Sequence, residues 1–321
     1  MELLKIYQKA CQKKRLSKRE ACFLINLPDK ELPQLLRLAV NLREKFCGKH
    51  VELCSISNAK SGYCSENCSF CSQSVYHKTK IARYPFLSKK ELLKNVRSAK
   101  IVGAHNHALV TSGRGLANQK ELTQICETIS SYHKNIRRCA SLGILTKREL
   151  RALKKAGLER FHHNLETAAS FFNRMCDTHT YKDRLKTIKR ARRVGLEICS
   201  GGIFGLGESP EQRVELAFAL RKINPSVLPI NIARAIKGTR FYSQEQKITV
   251  NEILKLIAVY RFILPNKIIA VFAGREKLKK AQQKIFAAGA NGLMLGDYLT
   301  LKGQQTDYDL MLIKKAGLNF K

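Results

Sequence analysis

The 321-residue chain contains no run of roughly 18 or more apolar residues, so no membrane-spanning helix is expected. The N-terminus, MELLKIYQKACQKKRLSKRE, lacks an apolar segment followed by a small-residue cleavage site. No secretory leader is therefore expected, and the reading is a cytoplasmic, reducing setting. No Gly-, Ser- or Pro-rich linker divides the sequence, which excludes a string of tethered domains. Acidic residues are scarce, 25 Asp+Glu against 59 Lys+Arg, for a formal charge of +34. Such a surplus attracts polyphosphate. However, the basic residues lie in helix-like stretches such as 147–151, 186–193 and 277–284, without interleaved aromatics that could stack on bases. Nucleic acid is not the expected partner, and a positive field serves acidic small molecules equally well. The 11 cysteines have irregular spacing. In a chain this large without a leader, they point to metal or redox roles rather than disulfides.

Hydrophobic content of 44% is ample for a buried core. Residues 1–50 read as a helical extension of two amphipathic stretches, with Leu27-Pro28 and Leu32-Pro33 marking a turn. From residue 51 to 321, short apolar runs alternate with helical patterns. The runs are 51–57, 108–111, 138–142, 160–165, 197–204, 227–232, 268–272 and 292–295. The helical segments are 89–102, 119–133, 147–156, 182–194, 210–223, 250–264, 278–288 and 308–316. Several helices exit through glycine, as in Ala156-Gly157-Leu158 and Val194-Gly195-Leu196. Strands alternating with helices predict a parallel sheet, and eight such units predict an α/β fold of the closed (β/α)8 TIM-type barrel kind.

The stretch Ser61-Gly62-Tyr63-Cys64-Ser65-Glu66-Asn67-Cys68-Ser69-Phe70-Cys71 carries the chemistry. Three thiolates spaced by three residues and then two can wrap one face of an iron–sulfur cubane and leave one iron open. Zinc is the rival metal, but a structural zinc site wants four closed ligands and no second CxxC pair exists here. This loop follows the first predicted strand, at the end of the barrel where chemistry gathers. Polar or unusual groups recur after later strands: Cys139, His162-His163-Asn164-Leu165-Glu166, the run from Cys199 to Glu208, Asn231, Ala273-Gly274-Arg275 and Asp297-Tyr298-Leu299-Thr300.

The CxxxCxxC loop, with the aromatic Phe70 before its last cysteine, resembles the signature of the radical S-adenosylmethionine (SAM) enzymes. HHNLET, CSGGIFGLGE, LPIN, AGREKL and GANGLMLGDYLT, in that order, extend the resemblance over roughly residues 15–317 to the biotin synthase family. That resemblance implies a sulfurtransferase that converts dethiobiotin to biotin. Its cofactors would be a [4Fe-4S] cluster with SAM, and an auxiliary iron–sulfur cluster as sulfur source. It also implies an electron donor such as flavodoxin or ferredoxin, iron–sulfur assembly machinery and a homodimer. By residue it implies Cys64, Cys68 and Cys71 as ligands of the SAM cluster. Phe70, Asn164, Glu166, Arg184 and the Gly201-Gly202-Ile203 backbone would contact SAM, with Arg184 pairing with the SAM carboxylate. Asn164, Asn231, His162 and Thr300 would contact substrate. The bland alternatives are a polar network at a strand end for Asn164 and Glu166, a solvated helix arginine for Arg184, and a strand bulge for Gly201-Gly202. Thr300 is followed by Leu301 where the family commonly has a second threonine, and His162 stands where asparagine is common.

The auxiliary site departs from the common pattern. Cys139 and Cys199 match two of its ligands, but Ala108 and Ala270 stand where a third cysteine and an arginine are usual. Cys54 adds a third thiol on the first strand. Cys54, Cys139 and Cys199 thus fall on predicted strands one, three and five, and alternate strands feed one barrel layer. With the segment Leu109-Val110-Thr111-Ser112-Gly113-Arg114-Gly115, this resembles the anaerobe-type subclass. A four-iron cluster carrying an extra sulfide is the expectation there, rather than [2Fe-2S]. Buried cysteines that merely pack are the alternative. Cys11, Cys22 and Cys126 read as packing residues, and no metal pattern joins His50, His77, His105, His107, His133 or His179. Rival readings are a related radical SAM maturase or mutase, an RNA-modifying radical SAM enzyme, and a non-catalytic metal-binding scaffold.

Overall fold

Strand and helix signals alternate because the chain repeatedly switches from β-branched, apolar runs to capped amphipathic helices. The computed structural model describes residues 1–133, 135–244 and 246–320. Lys134, Glu245 and Lys321, all within the segment 51–321 read as the barrel, lie outside the described residues. The strands are β1 Glu52–Lys60, β2 Asn106–Thr111, β3 Arg137–Ser141, β4 Arg160–His162, β5 Glu197–Cys199, β6 Gly202–Phe204, β7 Val227–Ile232, β8 Ile268–Val271 and β9 Gly292–Met294. All pairings are parallel; β1 pairs with β9 as well as β2, and β5 pairs with β7, so the sheet closes on itself. β5 and β6 together occupy one strand position, which gives the eight-stranded barrel that the alternation predicts.

The helices are α1 Glu2–Cys11, α2 Lys18–Ile25, α3 Leu32–Cys47, α4 Lys89–Ile101, α5 Gln119–Ser130, α6 Lys147–Lys155, α7 Phe172–Met175, α8 Tyr181–Arg193, α9 Pro210–Ile223, α10 Val250–Ile263, α11 Lys284–Ala287 and α12 Thr306–Lys315. Five barrel helices begin with reciprocal capping boxes: Ser88/Glu91, Thr146/Glu149, Thr180/Asp183, Ser209/Gln212 and Thr249/Glu252. Each box satisfies two N–H groups that the helix start leaves unpaired, which fixes where the preceding loop ends.

Three expectations need correction. The run 197–204 is not one continuous strand but breaks at Ser200-Gly201. The helix over 278–288 is instead a 3₁₀ segment, Arg275–Ala281, followed by the short α11, with Lys279 at φ 47° interrupting the helical path. The N-terminal segment forms three helices rather than two. These helices share the barrel's hydrophobic core. The reason lies in α10, which is buried on every side from Ile253 to Ile263. A helix buried all round needs cover on both faces; β8 lies inside it, and α2 and α3 pack outside it. Among the described residues, no helix is long and apolar enough to cross a membrane.

Candidate functional site

At the C-terminal ends of the strands the barrel opens into a cleft of about 400 Å³. Its wall includes Cys64, Cys68, Phe70, Cys71, His162, Asn164, Glu166, Arg184, Cys199, Ile203, Asn231 and Thr300. Residues far apart in sequence are gathered because they follow, or sit at the ends of, β1, β4, β5, β6, β7 and β9.

The cysteine loop is shaped by its own backbone. Cys64 N–H donates to the Gln73 carbonyl at 3.0 Å, and Cys71 N–H donates to the Cys68 carbonyl at 2.9 Å. Gly62 and Tyr63 both have positive φ, 78° and 54°, which turns the chain out of β1 and around the mouth. Ser69 N–H donates to the Met175 carbonyl at 2.8 Å, tying the loop to α7. Burial raises the thiol pKa of Cys64, and that of Cys71 to about 11. Cys68 is raised by its hydrogen bond with Cys176 and by burial. Thiols held protonated by a dry site become good ligands once a cation replaces the proton.

Opposite the loop, Arg184 enters from the first turn of α8. Its Nε donates to His179 Nε2 at 3.1 Å, and its Nη1 donates to the Asn164 carbonyl at 3.0 Å and to Glu166 Oε1 at 3.3 Å. Asn164 Oδ1 accepts from Gly201 N–H at 3.1 Å, and its Nδ2 donates to Glu166 Oε2 at 3.3 Å. Glu166 itself has φ 69°, a costly conformation for a side-chain residue that aims the carboxylate into the cleft. Asn231 bridges two strand ends, donating to the Gly202 carbonyl at 3.2 Å and accepting from Ala273 N–H at 3.2 Å. Thr300 meets Ser72, hydroxyl to hydroxyl, at 2.9 Å. His162 borders the cleft, and burial first, then Arg160, lower its pKa to about 3.

Gly201 and Gly202 are explained by backbone packing. A Cβ on Gly201 would lie 1.9 Å from the Pro229 carbonyl oxygen, and one on Gly202 would lie 2.6 Å from the Glu166 carbonyl oxygen. The strand break lets β6 press against its neighbours; of the three residues, Ile203 lines the cleft.

Cys199 on the cleft wall and Cys54 and Cys139 behind it are all buried. Register places Cys54 opposite Asn106, Cys139 opposite Ala108 and Arg160, and Cys199 opposite His162 and Val227. Burial raises all three thiols, Cys139 to about 12. Cys54 and Cys199 also share one small buried cluster with Val227 and Ala270.

Several partners were not anticipated from the sequence. His179, read only as an ordinary histidine, is buried between Arg184 and the Glu66 carboxylate, 2.5 Å from its Nδ1. Cys176 lies beside Cys68 and 3.2 Å from His179 Nδ1, and the ligand atoms of Cys68, Cys176 and His179 lie within 4.8 Å of one another. Their signal was faint: a Cys-x-x-His pair two residues before the Tyr181-Lys182-Asp183-Arg184 motif. His107, by contrast, is a core residue, hydrogen-bonded at 2.8 Å to both Ser55 and Ser57, and burial lowers its pKa to about 4. Thr111 Oγ1, Ser112 Oγ and His163 Nε2, all on cleft-wall residues, lack a hydrogen-bond partner among the described residues. Unsatisfied buried donors and acceptors are rare, and these fit a site built for a polar ligand.

Comparison with known proteins is consistent with this geometry. Residues 59–220 match the model of the Radical SAM superfamily, and residues 229–319 match that of the Biotin and Thiamin Synthesis associated domain. The barrel and its cysteine loop are those of a radical SAM enzyme, a class whose cofactors are a [4Fe-4S] cluster and SAM. Methylornithine synthase has the same fold, with a TM-score of 0.85 at 19% identity over 98% of this chain and 97% of that one. So does the FeFe-hydrogenase maturase HydG from Carboxydothermus hydrogenoformans, with a TM-score of 0.82 at 21% identity over 99% and 78%. Sequence narrows the class further: a biotin synthase of Citrifermentans bemidjiense is 44% identical over 94% of this chain and 93% of its own length. One of Clostridium perfringens is 41% identical over 98% of both chains. The chain belongs to the biotin synthase family.

Proposed function

We propose that the cleft carries out radical insertion of sulfur into dethiobiotin, with the residues in the roles that the strand-end geometry favours. Cys64, Cys68 and Cys71 hold the SAM-binding [4Fe-4S] cluster. The convergence of these thiols with Arg184, Asn164 and Glu166 on one cleft is the observation that carries the proposal. When bound, the cluster and SAM supply the radical chemistry that removes hydrogen from unactivated carbon. The chain's own residues bind and orient. Arg184 receives a carboxylate at Nη2, the guanidinium nitrogen not taken by His179, Asn164 or Glu166. Glu166 and Asn164 present acceptors and a donor suited to a ribose diol, and Phe70 and Ile203 form the apolar wall. His162, Asn164, Asn231 and Thr300 face the remaining space, suited to a cyclic urea with a carboxylate tail. His162 is neutral at ordinary pH, so it offers one donor and one acceptor rather than a charge.

Cys54, Cys139 and Cys199 hold the auxiliary cluster. Three thiols in one layer, with alanine at 108 and 270, favour a four-iron cluster carrying an extra sulfide over a two-iron one. A flavodoxin- or ferredoxin-type donor, the iron–sulfur assembly machinery, a homodimer and a cytoplasmic setting belong to the same proposal, as does a division into an extension at 1–50 and a barrel at 51–321.

The test is anaerobic iron and sulfide quantitation with Mössbauer spectroscopy on the wild type and on Cys54→Ala/Cys139→Ala/Cys199→Ala. The expected result is about eight irons falling to about four, with SAM cleavage retained and biotin formation lost. About four irons in both proteins would remove the sulfur source and overturn the auxiliary-cluster assignment.

A further inference from the structure

Arg160 opens β4 and is only 1% exposed. A guanidinium almost never enters a barrel interior without partners. Its Nη1 donates to Glu52 Oε1 at 3.2 Å and to Asn106 Oδ1 at 3.1 Å, and its Nε donates to Glu197 Oε2 at 3.1 Å. Glu52, Asn106 and Glu197 open β1, β2 and β5, so these side chains floor the barrel at its N-terminal end. The thiols stand directly above. Cys54 and Cys199 lie two residues beyond Glu52 and Glu197, on the same strand faces. Cys139 sits opposite Arg160 in register, and Asn106 Nδ2 reaches to 3.6 Å from Cys54 Sγ.

Arg160 pairs with the Glu52 and Glu197 carboxylates at 3.2 and 3.1 Å, which keeps the guanidinium charged at this depth. Asn106 links the two layers, accepting from Arg160 at Oδ1 and reaching Cys54 Sγ with Nδ2. Ala270, where the resemblance would look for an arginine, instead joins Cys54, Cys199, Val227 and Met294 in a small apolar cluster and brings no charge to the layer. A cluster on three thiolates places negative charge in a dry interior, where an uncompensated charge is costly.

We propose that Arg160 is a positioning residue of the auxiliary site. Held from below by Glu52, Asn106 and Glu197, its guanidinium supplies the positive charge that balances a cluster on Cys54, Cys139 and Cys199, from β4 rather than from residue 270. The proposal rests on the auxiliary-cluster reading.

The test uses the full chain carrying Cys64→Ala/Cys68→Ala/Cys71→Ala, which leaves the lower thiols as the cluster site. After anaerobic loading with ferrous iron and sulfide, two quantities are read: the reduction potential, by EPR-monitored titration, and iron retention against a chelator. Arg160→Gln should shift the potential downward and weaken retention by roughly 10–100-fold, whereas Arg160→Lys, which keeps the charge, should restore most of both. Equal effects of Gln and Lys would reduce Arg160 to a packing role and overturn the proposal, as would no effect of either. Should Arg160→Gln fail to melt cooperatively, Arg160→Met, which keeps the length of the side chain without its charge, is read in the same way. If the background protein itself takes up no iron, the auxiliary-cluster reading fails and the proposal fails with it. Iron uptake that ignores residue 160 sinks the proposal alone.

Discussion

Arg184 is gripped before any ligand arrives, by His179 at Nε and by Glu166 and the Asn164 carbonyl at Nη1. Such pre-orientation means that ligand binding spends little on ordering a long side chain. Arg184→Lys keeps the charge but loses the planar fork, and SAM affinity measured by calorimetry should fall roughly 10–100-fold, the equivalent of one charge-assisted hydrogen bond. The melting temperature should hardly change, since the removed contacts are at the cleft wall. His107 makes a prediction about pH. Its imidazole is neutral in the fold, with the pKa lowered to about 4 by burial, against roughly 6.5 when unfolded. The unfolded chain therefore binds the extra proton first. Stability is full above pH ~6.5 and declines as pH falls toward ~4, by about 3 kcal/mol from this group. His107→Gln should make that limb shallower in urea titrations of the cluster-free protein, with His162 keeping part of it; an unchanged slope would show that His107 does not contribute.

The broken fifth strand makes the corresponding prediction among the elements. Gly201→Ala forces a Cβ onto the Pro229 carbonyl. The barrel must then shift at β5, β6 and β7 together, and destabilisation of at least about 1–3 kcal/mol is expected in denaturant melts. A neutral result would show that the break is slack rather than packed. This break also shows what sequence makes legible. The eight β/α units could be read because alternation of strand and helix periods is local, as are capping pairs such as Thr180/Asp183. The cysteine loop could be read because its spacing is contiguous. The interruption at Ser200-Gly201 and the kink at Lys279 depend on what the neighbouring backbone leaves room for, and no single segment carries that information. The same holds for the site. Cys64, Asn164 and Arg184 lie in recognisable motifs, while His179 and Arg160 take their meaning from side chains more than thirty residues away, such as Glu66 and Glu197. A charged residue opening an apolar strand was the available hint for Arg160.

Over the whole molecule, the surplus of positive charge sits on the outer helices. Lys147, Arg148 and Arg151 on α6 and Lys189, Arg192 and Arg193 on α8 crowd like charges on adjacent turns. Such repulsion is screened by salt, with a Debye length near 10 Å at 0.1 M. Raising the salt concentration from about 0.01 M to about 0.3 M should therefore raise the melting temperature of the cluster-free chain. A fall would mean that more exposed ion pairs such as Arg234–Glu276 outweigh the repulsion.

The barrel is sealed along one seam, where β1, near the start of the chain, pairs with β9, near its end. While the ribosome is still working through the intervening residues, the nascent sheet is an open arc with bare edges, and bare edges invite pairing with strangers. Cys54, Cys139 and Cys199 stand on the inner face of that arc, which Gly292–Met294 close. Three thiols that the folded barrel buries are thus open to the cell during its birth, and the arrival of β9 decides when they are enclosed.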